Sequence, residues 1–113
     1  MDKLTYYKSV VLDLMDDIVK SFETASNPIK VQLIVDESHG QFLLYQNDWR
    51  NERRMYGAML HLEVTPAGKI WLHHDGTDLV IAESLLEAGV PKEDIVLGFR
   101  APVVRPDTGF AVA

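Results

Sequence analysis

The sequence contains no cysteine and no long apolar run. The first absence excludes disulfides, thiolate metal sites and cysteine nucleophiles. The second excludes a membrane-spanning helix, which needs about 20 consecutive apolar residues. The N-terminus reads Met1-Asp2-Lys3-Leu4 and lacks the basic and then apolar layout of a secretory signal, so the expected location is cytoplasmic.

Basic residues are also few. Lysine and arginine number 11 against 17 aspartates and glutamates, and the formal net charge is −6. This charge repels phosphate backbones and disfavours non-specific nucleic-acid binding, so any role on DNA is expected to be indirect. The 113 residues suffice for one buried core but not for two, which predicts a single domain spanning residues 1–113.

Recognisable catalytic motifs are missing as well. There is no GxSxG elbow, no P-loop and no GxGxxG after a strand. The carboxylates, among them Asp13, Asp16 and Asp17, fall mainly on predicted helix faces and turns, where solvation is their expected role. We therefore predict no catalytic residues, no cofactor and no enzyme activity.

Among the features that are present, the first is an amphipathic helix. Apolar residues recur at steps of three and four and form one stripe of Leu4, Tyr7, Val11, Leu14, Ile18 and Phe22. Ser26-Asn27-Pro28 ends this pattern, because proline cannot continue a helix. The pattern predicts a long N-terminal helix.

Four segments with strand character follow. The first three are Ile29–Val35, Gln41–Trp49 and Arg53–Val64. Thr65-Pro66-Ala67-Gly68 fits a type I turn with glycine in the left-handed position of a bulge, which makes a three-residue hairpin loop into the fourth strand. This turn predicts a register that pairs Val64 with Ile70 and Leu62 with Leu72, and that places His61 opposite His73.

A second helix is predicted after the fourth strand, with Thr77 or Asp78 as its cap and Gly89 at its end. Its apolar stripe is Leu79, Ala82, Leu85 and Leu86. Val90–Ile95 predicts a short helical turn begun by proline. Val96–Ala113 shows no period and is predicted to be an ordered arm on the domain or on a neighbouring subunit.

This order of elements is typical of an α+β fold. We predict an antiparallel four-stranded meander, with a long N-terminal helix and a C-terminal helix packed on one face, and an extended C-terminal arm. A doubly wound sheet is not expected, because strands and helices do not alternate.

The histidines raise the possibility of a metal site. His73 and His74 are adjacent on a strand and should point to opposite faces, which leaves His61 and His73 as the candidate pair. Only Glu63 or Asp75 could supply further ligands. The alternative, which we favour, is a histidine pair on a covered or oligomeric sheet face without metal.

One stretch concentrates basic residues beside an aromatic side chain, the run Trp49-Arg50-Asn51-Glu52-Arg53-Arg54 at a predicted hairpin turn. Arginine with aromatic neighbours is the composition of nucleic-acid contacts and of protein hot spots alike, and a solvated turn is a third interpretation. Because the chain is acidic, we favour a protein partner. The predicted partner-binding residues are Trp49, Arg50, Arg53, Arg54 and Tyr56.

The same run also carries a family resemblance. Residues 49–57, Trp-Arg-Asn-Glu-Arg-Arg-Met-Tyr-Gly, resemble the W-x-N-x-R-R-x-Y-G block of the XisI-type fdxN element excision controlling factors. Further similar blocks follow in order along the chain: residues 68–71 (Gly-Lys-Ile-Trp), 75–77 (Asp-Gly-Thr), 89–99 and 108–112. The resemblance covers essentially the whole chain.

This resemblance implies a cyanobacterial-type accessory protein that acts with an XisH-type protein to control excision of a DNA element by a separate site-specific recombinase. It brings no catalytic residues, and it gives Trp49, Arg53 and Arg54 an expected contact role. We also expect a homo-oligomer. Two other hypotheses stay open: a homodimer that binds DNA directly through the arginine-rich turn, and a metal-dependent hydrolase that uses His61 and His73.

Overall fold

The computed structural model describes residues 2–26, 28, 30–77 and 79–113. It contains helices α1 (Lys3–Glu23) and α2 (Ile81–Glu87), and strands β1 (Val31–Asp36), β2 (Gln41–Arg50), β3 (Arg53–Val64), β4 (Ile70–Asp75) and β5 (Ile95–Leu97). Three 3-10 turns cover Glu37–His39, Lys92–Asp94 and Arg105–Thr108. Within the described residues, no helix is both long and apolar enough to cross a membrane.

Helix α1 confirms the predicted N-terminal helix. Asp2 caps it, since its Oδ1 accepts a hydrogen bond of 2.8 Å from the Thr5 backbone N–H, and this bond lowers the pKa of the Asp2 carboxyl. The buried face consists of Tyr7, Val11, Met15 and Ile18. The predicted stripe omitted Met15. The helix ends at Glu23, before the predicted stop at residues 26–28, of which Asn27 lies outside the described residues.

The sheet has five strands in the order β1-β2-β3-β4-β5. The first four form the predicted antiparallel meander; the predicted start of β1 at Ile29 lies outside the described residues. The prediction of a wholly antiparallel four-stranded sheet is wrong, because β5 pairs parallel with β4. β5 was missed because its three residues are too few to show a strand period. The predicted helical turn before it is present as the 3-10 turn Lys92–Asp94.

The β3–β4 turn has the predicted geometry. The Gly68 backbone N–H donates to the Thr65 carbonyl at 3.0 Å, and Gly68 has a left-handed φ of 83°. The predicted core-face register is confirmed by the pairs Val64 with Ile70 and Leu62 with Leu72.

A β-bulge just beyond these pairs changes the histidine register. His61 is opposite His74, and not opposite His73 as predicted, because β4 contributes one extra residue at this point. The His61 and His73 rings are nevertheless neighbours, with centroids 4.8 Å apart. The expected ring pair therefore forms, although the strand pairing that was predicted to produce it does not.

The start of α2 also differs from the prediction. Its N-cap is Val80, which makes no side-chain capping bond. Thr77 is not the cap, because its backbone N–H and hydroxyl both donate to Asp75 Oδ1 in a turn before the helix. Asp78 lies outside the described residues. Leu79 is exposed, and Ile81 with Leu85 form the buried face.

One hydrophobic core joins both helices to the same face of the sheet. Its buried residues include members of α1, of α2 and of all strands from β2 to β5. The predicted arm lies on the domain, since Ala111 forms a parallel bridge with Val96 and its backbone N–H donates to the Ile95 carbonyl at 2.9 Å. It is not extended as predicted, because β5 takes its first residues and a 3-10 turn folds Arg105–Thr108.

An ionic cluster around the buried Asp94 ties three parts of the chain together. Asp94 is buried, and it accepts a hydrogen bond from the Tyr7 hydroxyl of α1. Its carboxylate lies 2.9 Å from Lys3 Nζ and 3.8 Å from Lys69 Nζ. Burial raises the pKa of Asp94, but the hydrogen bond from Tyr7 and the two lysine charges outweigh it, and the net pKa is lowered. Asp94 therefore remains a carboxylate at neutral pH.

Candidate protein-binding hairpin

The tip of the β2–β3 hairpin extends past the rest of the sheet. β1 pairs with β2 only as far as Gln46, and β4 pairs with β3 only from Leu60 onward. Along residues 47–57, which we call the hairpin arm, β2 and β3 therefore pair only with one another and not with β1 or β4. The turn at Asn51 and Glu52 links Arg50 to Arg53, and Asn51 has a φ of 55°, a left-handed conformation that asparagine tolerates.

One face of the arm collects aromatic and arginine side chains. Trp49 pairs with Arg54 across the strands, and Asn47 pairs with Tyr56, so strand alternation places all four on the same face. The Arg54 guanidinium carbon lies 5.5 Å from the Trp49 ring centroid and 5.0 Å from that of Tyr56. Both distances are within the range of cation–π contacts.

Hydrogen bonds hold Arg54 in this position. Its Nη2 donates to Asn47 Oδ1 at 2.5 Å, and its Nη1 donates to the Asp48 carbonyl at 3.2 Å. Tyr45 extends the face toward the sheet by packing edge-on against Tyr56 at 5.3 Å between centroids. These hydrogen bonds hold the guanidinium beside both rings within the chain itself.

The aromatic side chains of this face are largely in solvent. Trp49 is 60% exposed and Tyr56 is 67% exposed. Tryptophan, tyrosine and arginine are the residue types that most often dominate binding energy in protein interfaces. Exposed side chains of all three types thus lie together on one face of the arm.

The predicted partner-binding residues divide between the two faces of the arm. Trp49, Arg54 and Tyr56 are brought together on the aromatic face, whereas Arg50 and Arg53 pair with each other on the opposite face. Arg53 is exposed, but Arg50 Nη2 donates to the Pro28 carbonyl at 2.7 Å and so ties the arm to the segment before β1. Tyr45 and Asn47, which also lie on the aromatic face, were not among the predicted residues. The alternation Tyr45, Asn47, Trp49 along one strand was the available signal.

The histidine pair lies on the sheet face opposite the core. His61 Nε2 is 2.7 Å from Gln41 Oε1, and His73 Nε2 is 2.7 Å from Glu63 Oε1. His73 also stacks on Trp71 at 5.5 Å. Burial and the neighbouring His73 lower the pKa of His61. Across residues 2–26, 28, 30–77 and 79–113, no group of three or more histidine and carboxylate side chains is placed to hold a metal ion. The hydrolase hypothesis would need such a group.

A family model described as XisI protein matches residues 1–112. The chain belongs to the XisI family. Two crystal structures from Anabaena variabilis ATCC 29413 agree with this assignment. One is the fdxN element excision controlling factor XisI, 34% identical, with a TM-score of 0.85 over 99% of this chain and 100% of that chain. The other is a XisI-like protein, also 34% identical, with a TM-score of 0.87 over 97% and 99%. No curated protein matches.

The XisI resemblance stated from the sequence is therefore confirmed, and its blocks have clear places in the fold. The W-x-N-x-R-R-x-Y-G block of this XisI-family chain forms the tip and the β3 side of the hairpin arm. The Gly68–Trp71 block makes the turn into β4. The block at residues 89–99 supplies Asp94 and β5. The Gly68–Trp71 block and the block at residues 89–99 thus contribute to the fold. The W-x-N-x-R-R-x-Y-G block contributes no buried residue to the core among the described residues.

Proposed function

We propose that this XisI-family chain is a non-catalytic, cytoplasmic accessory protein that regulates excision of a DNA element through an XisH-type protein partner. A separate site-specific recombinase performs the strand chemistry, and contact with DNA is indirect. The observation that carries the proposal is the aromatic face of the hairpin arm. The name of its relative, an excision controlling factor, supports the regulatory role.

Preorganisation makes the aromatic face suited to binding a protein. Burying an exposed arginine side chain in an interface normally costs rotamer freedom. Here Asn47 and the Asp48 carbonyl already hold the Arg54 guanidinium between Trp49 and Tyr56. Because the Arg54 side chain is already ordered in the free chain, binding loses less side-chain entropy and the affinity is higher than for a mobile arginine.

The charge distribution supports a protein rather than DNA as the partner. Residues 47–57 carry three arginines against two acidic residues, whereas the whole chain has a net charge of −6. The arm is therefore a small basic tip on an acidic body. A protein with an acidic patch can contact the basic tip without approaching the rest of the chain. A DNA duplex is longer, and its phosphates would also approach the acidic body and be repelled by its negative charge.

The proposal predicts that co-expression with an XisH-type protein gives a stable complex. Arg53→Glu combined with Arg54→Glu should weaken that complex about 30-fold or more, as expected for loss of a hot spot. The measurement is the dissociation constant by calorimetry or surface binding. The matched control is Lys20→Glu combined with Arg100→Glu, which makes the same change in net charge outside the arm. Equal affinities for the arm variant and the wild type would remove the arm from the site.

Direct DNA binding is a second candidate, and the shape of the arm favours it. A two-stranded β-ribbon fits the major groove, and exposed Arg53 lies at the tip of such a ribbon. In a homodimer two arms would act together. Retardation of element-end DNA at low salt, with an affinity that falls steeply as salt is added, is the expected result for this candidate. Absence of retardation at low salt would exclude it.

A further inference from the structure

The outer edge of β1 differs from the other edge of the sheet. At the β5 edge the chain covers itself, since Ala111 bridges to Val96. β1 pairs with β2 on one side only. Among the described residues, no backbone hydrogen bond joins Val31–Val35 to anything other than β2. A row of backbone donors and acceptors therefore faces outward along β1.

The middle of this edge carries none of the usual protective features. Residues 31–35 read Val-Gln-Leu-Ile-Val, with no charged residue, no proline and no glycine. Ile34 is 46% exposed and Val35 is 39% exposed. Soluble proteins normally protect an edge strand with lysine, proline, a bulge or a covering segment, because a bare apolar edge pairs with other strands. The unpaired backbone groups of such an edge can hydrogen-bond to a strand of another chain.

We propose that the covering strand is β1 of a second copy of this chain, paired antiparallel about Leu33 to join the two sheets. Such a pairing is two-fold symmetric, so each copy offers the same surface to the other. In this register Val31 meets Val35 of the second copy, and Leu33 meets Leu33. These apolar residues of one β1 strand thus lie opposite apolar residues of the other.

Two charges select this register, Lys30 just before β1 and Asp36 at its last residue. Antiparallel pairing about Leu33 places Lys30 of each copy opposite Asp36 of the other, whereas parallel pairing would place like charges together. Both residues are exposed. Hydrogen bonds from Ser38 and His39 lower the pKa of Asp36, so its carboxylate is charged at neutral pH. The pairing therefore brings two opposite-charge contacts into one interface.

The net charge of the chain points to the same surface. Two copies that each carry −6 repel one another over most of their area. The segment from Lys30 to Asp36 has one charge of each sign at its ends and none between them. Two copies can approach along this segment without accumulating negative charge.

Sedimentation equilibrium over about a hundredfold range of protein concentration tests the proposal. The wild type should be a dimer. Lys30→Asp should raise the dimer dissociation constant about tenfold, because both symmetric contacts change from attraction to repulsion. Asp36→Lys should act in the same direction, and the double variant should recover most of the lost affinity. Lys20→Asp is the matched control, because it changes the charge equally at an exposed site on α1.

Two outcomes would overturn the proposal. The first is a monomeric wild type across the whole concentration range. The second is a Lys30→Asp, Asp36→Lys double variant whose dimer dissociation constant is no lower than that of Lys30→Asp alone, while melting curves show that all variants are folded. If the β1 amides become protected from hydrogen exchange only when an XisH-type protein is added, the edge belongs to that protein and the proposal is wrong. Arg53→Glu with Arg54→Glu should leave the dimer unchanged, so this result is separate from the test of the hairpin arm.

Discussion

Replacing Asp94 with alanine should lower the free energy of unfolding by about 3 kcal/mol at neutral pH. The change leaves the hydroxyl of Tyr7, which is 4% exposed, without its acceptor. It also removes the counter-charge of Lys3 and Lys69, but this part is smaller because the Lys3 side chain is 52% exposed. Urea unfolding followed by circular dichroism measures the effect. Asp16→Asn, on the exposed face of α1, is the control and should change stability little.

A double-mutant cycle separates the Tyr7–Asp94 contact from general effects of truncation. Tyr7→Phe removes only the hydroxyl that donates to Asp94. Because both single variants break the same hydrogen bond, the double variant should be less destabilised than the two effects added together. Strict additivity of the two effects would show that the contact contributes no coupling energy.

The same cluster predicts a pH dependence. The folded-state pKa of Asp94 is below its ordinary value, so its stabilising contribution is complete above the unfolded-state pKa of about 3.9. The contribution is lost as the pH falls through the folded-state pKa, where the carboxyl becomes protonated. The stability difference between the wild type and Asp94→Ala should therefore be largest at neutral pH and shrink in acid. A difference that stays constant down to strongly acidic pH would contradict the ionic interpretation.

Gly40→Ala should be at least as damaging, at about 4 kcal/mol or outright failure to fold. Gly40 has a φ of 65°, and a Cβ built there would lie 2.1 Å from the Val64 carbonyl oxygen. The obstacle is backbone of a central strand, which cannot move aside without disturbing the β2–β3 pairing. Gly40 also accepts a hydrogen bond of 2.8 Å from the Val64 backbone N–H through its own carbonyl, so the two strands are held close here. Thermal melting of the purified variant gives the measurement.

Gly109→Ala is the matched control for this prediction. Gly109 has a similar left-handed φ of 81°, but nothing lies within 4 Å of a Cβ built on it. Its replacement should therefore cost about 1 kcal/mol, the cost of a left-handed alanine alone. The difference between the two variants isolates the steric clash at Gly40. Equal destabilisation of both would show that backbone conformation, and not the contact with Val64, limits position 40.

Sequence periodicity predicted those parts of the fold that rest on local pattern. α1, β1 and β3 were found because the apolar residues of each recur with the helical or the strand period. The Thr65–Gly68 turn gave the correct pairing of β3 and β4 as far as Leu62 and Leu72, because proline and glycine restrict the backbone there to one geometry. For these elements, local chemistry and tertiary structure agree.

The features that sequence analysis missed depend on distant contacts. β5 is only three residues long, and it is a strand because the edge of β4 is available to it. The extra residue that shifts His74 opposite His61 has no marker in the sequence. Asp94 was predicted only as part of a short helical turn, and its burial depends on Lys3, Tyr7 and Lys69, which meet it in the folded chain.

The sequence predicted some residues of the aromatic face and assigned Arg50 to the wrong face. Trp49, Arg54 and Tyr56 stood out by composition, and strand alternation placed them together. Arg50 was assigned to the same surface because a predicted turn does not tell which face a residue takes. Its contact with the Pro28 carbonyl became visible only with the position of the segment before β1.

The parallel pairing of β5 has a consequence for how the chain is made. Strands β1 to β4 join neighbours in sequence, and a nascent polypeptide can form them one after another as it emerges. The outer edge of β4 is covered only by residues 95–97, which are made after α2 and the turn behind it. Until then the nascent chain carries an unpaired strand edge, which can pair with a second chain translated from the same messenger.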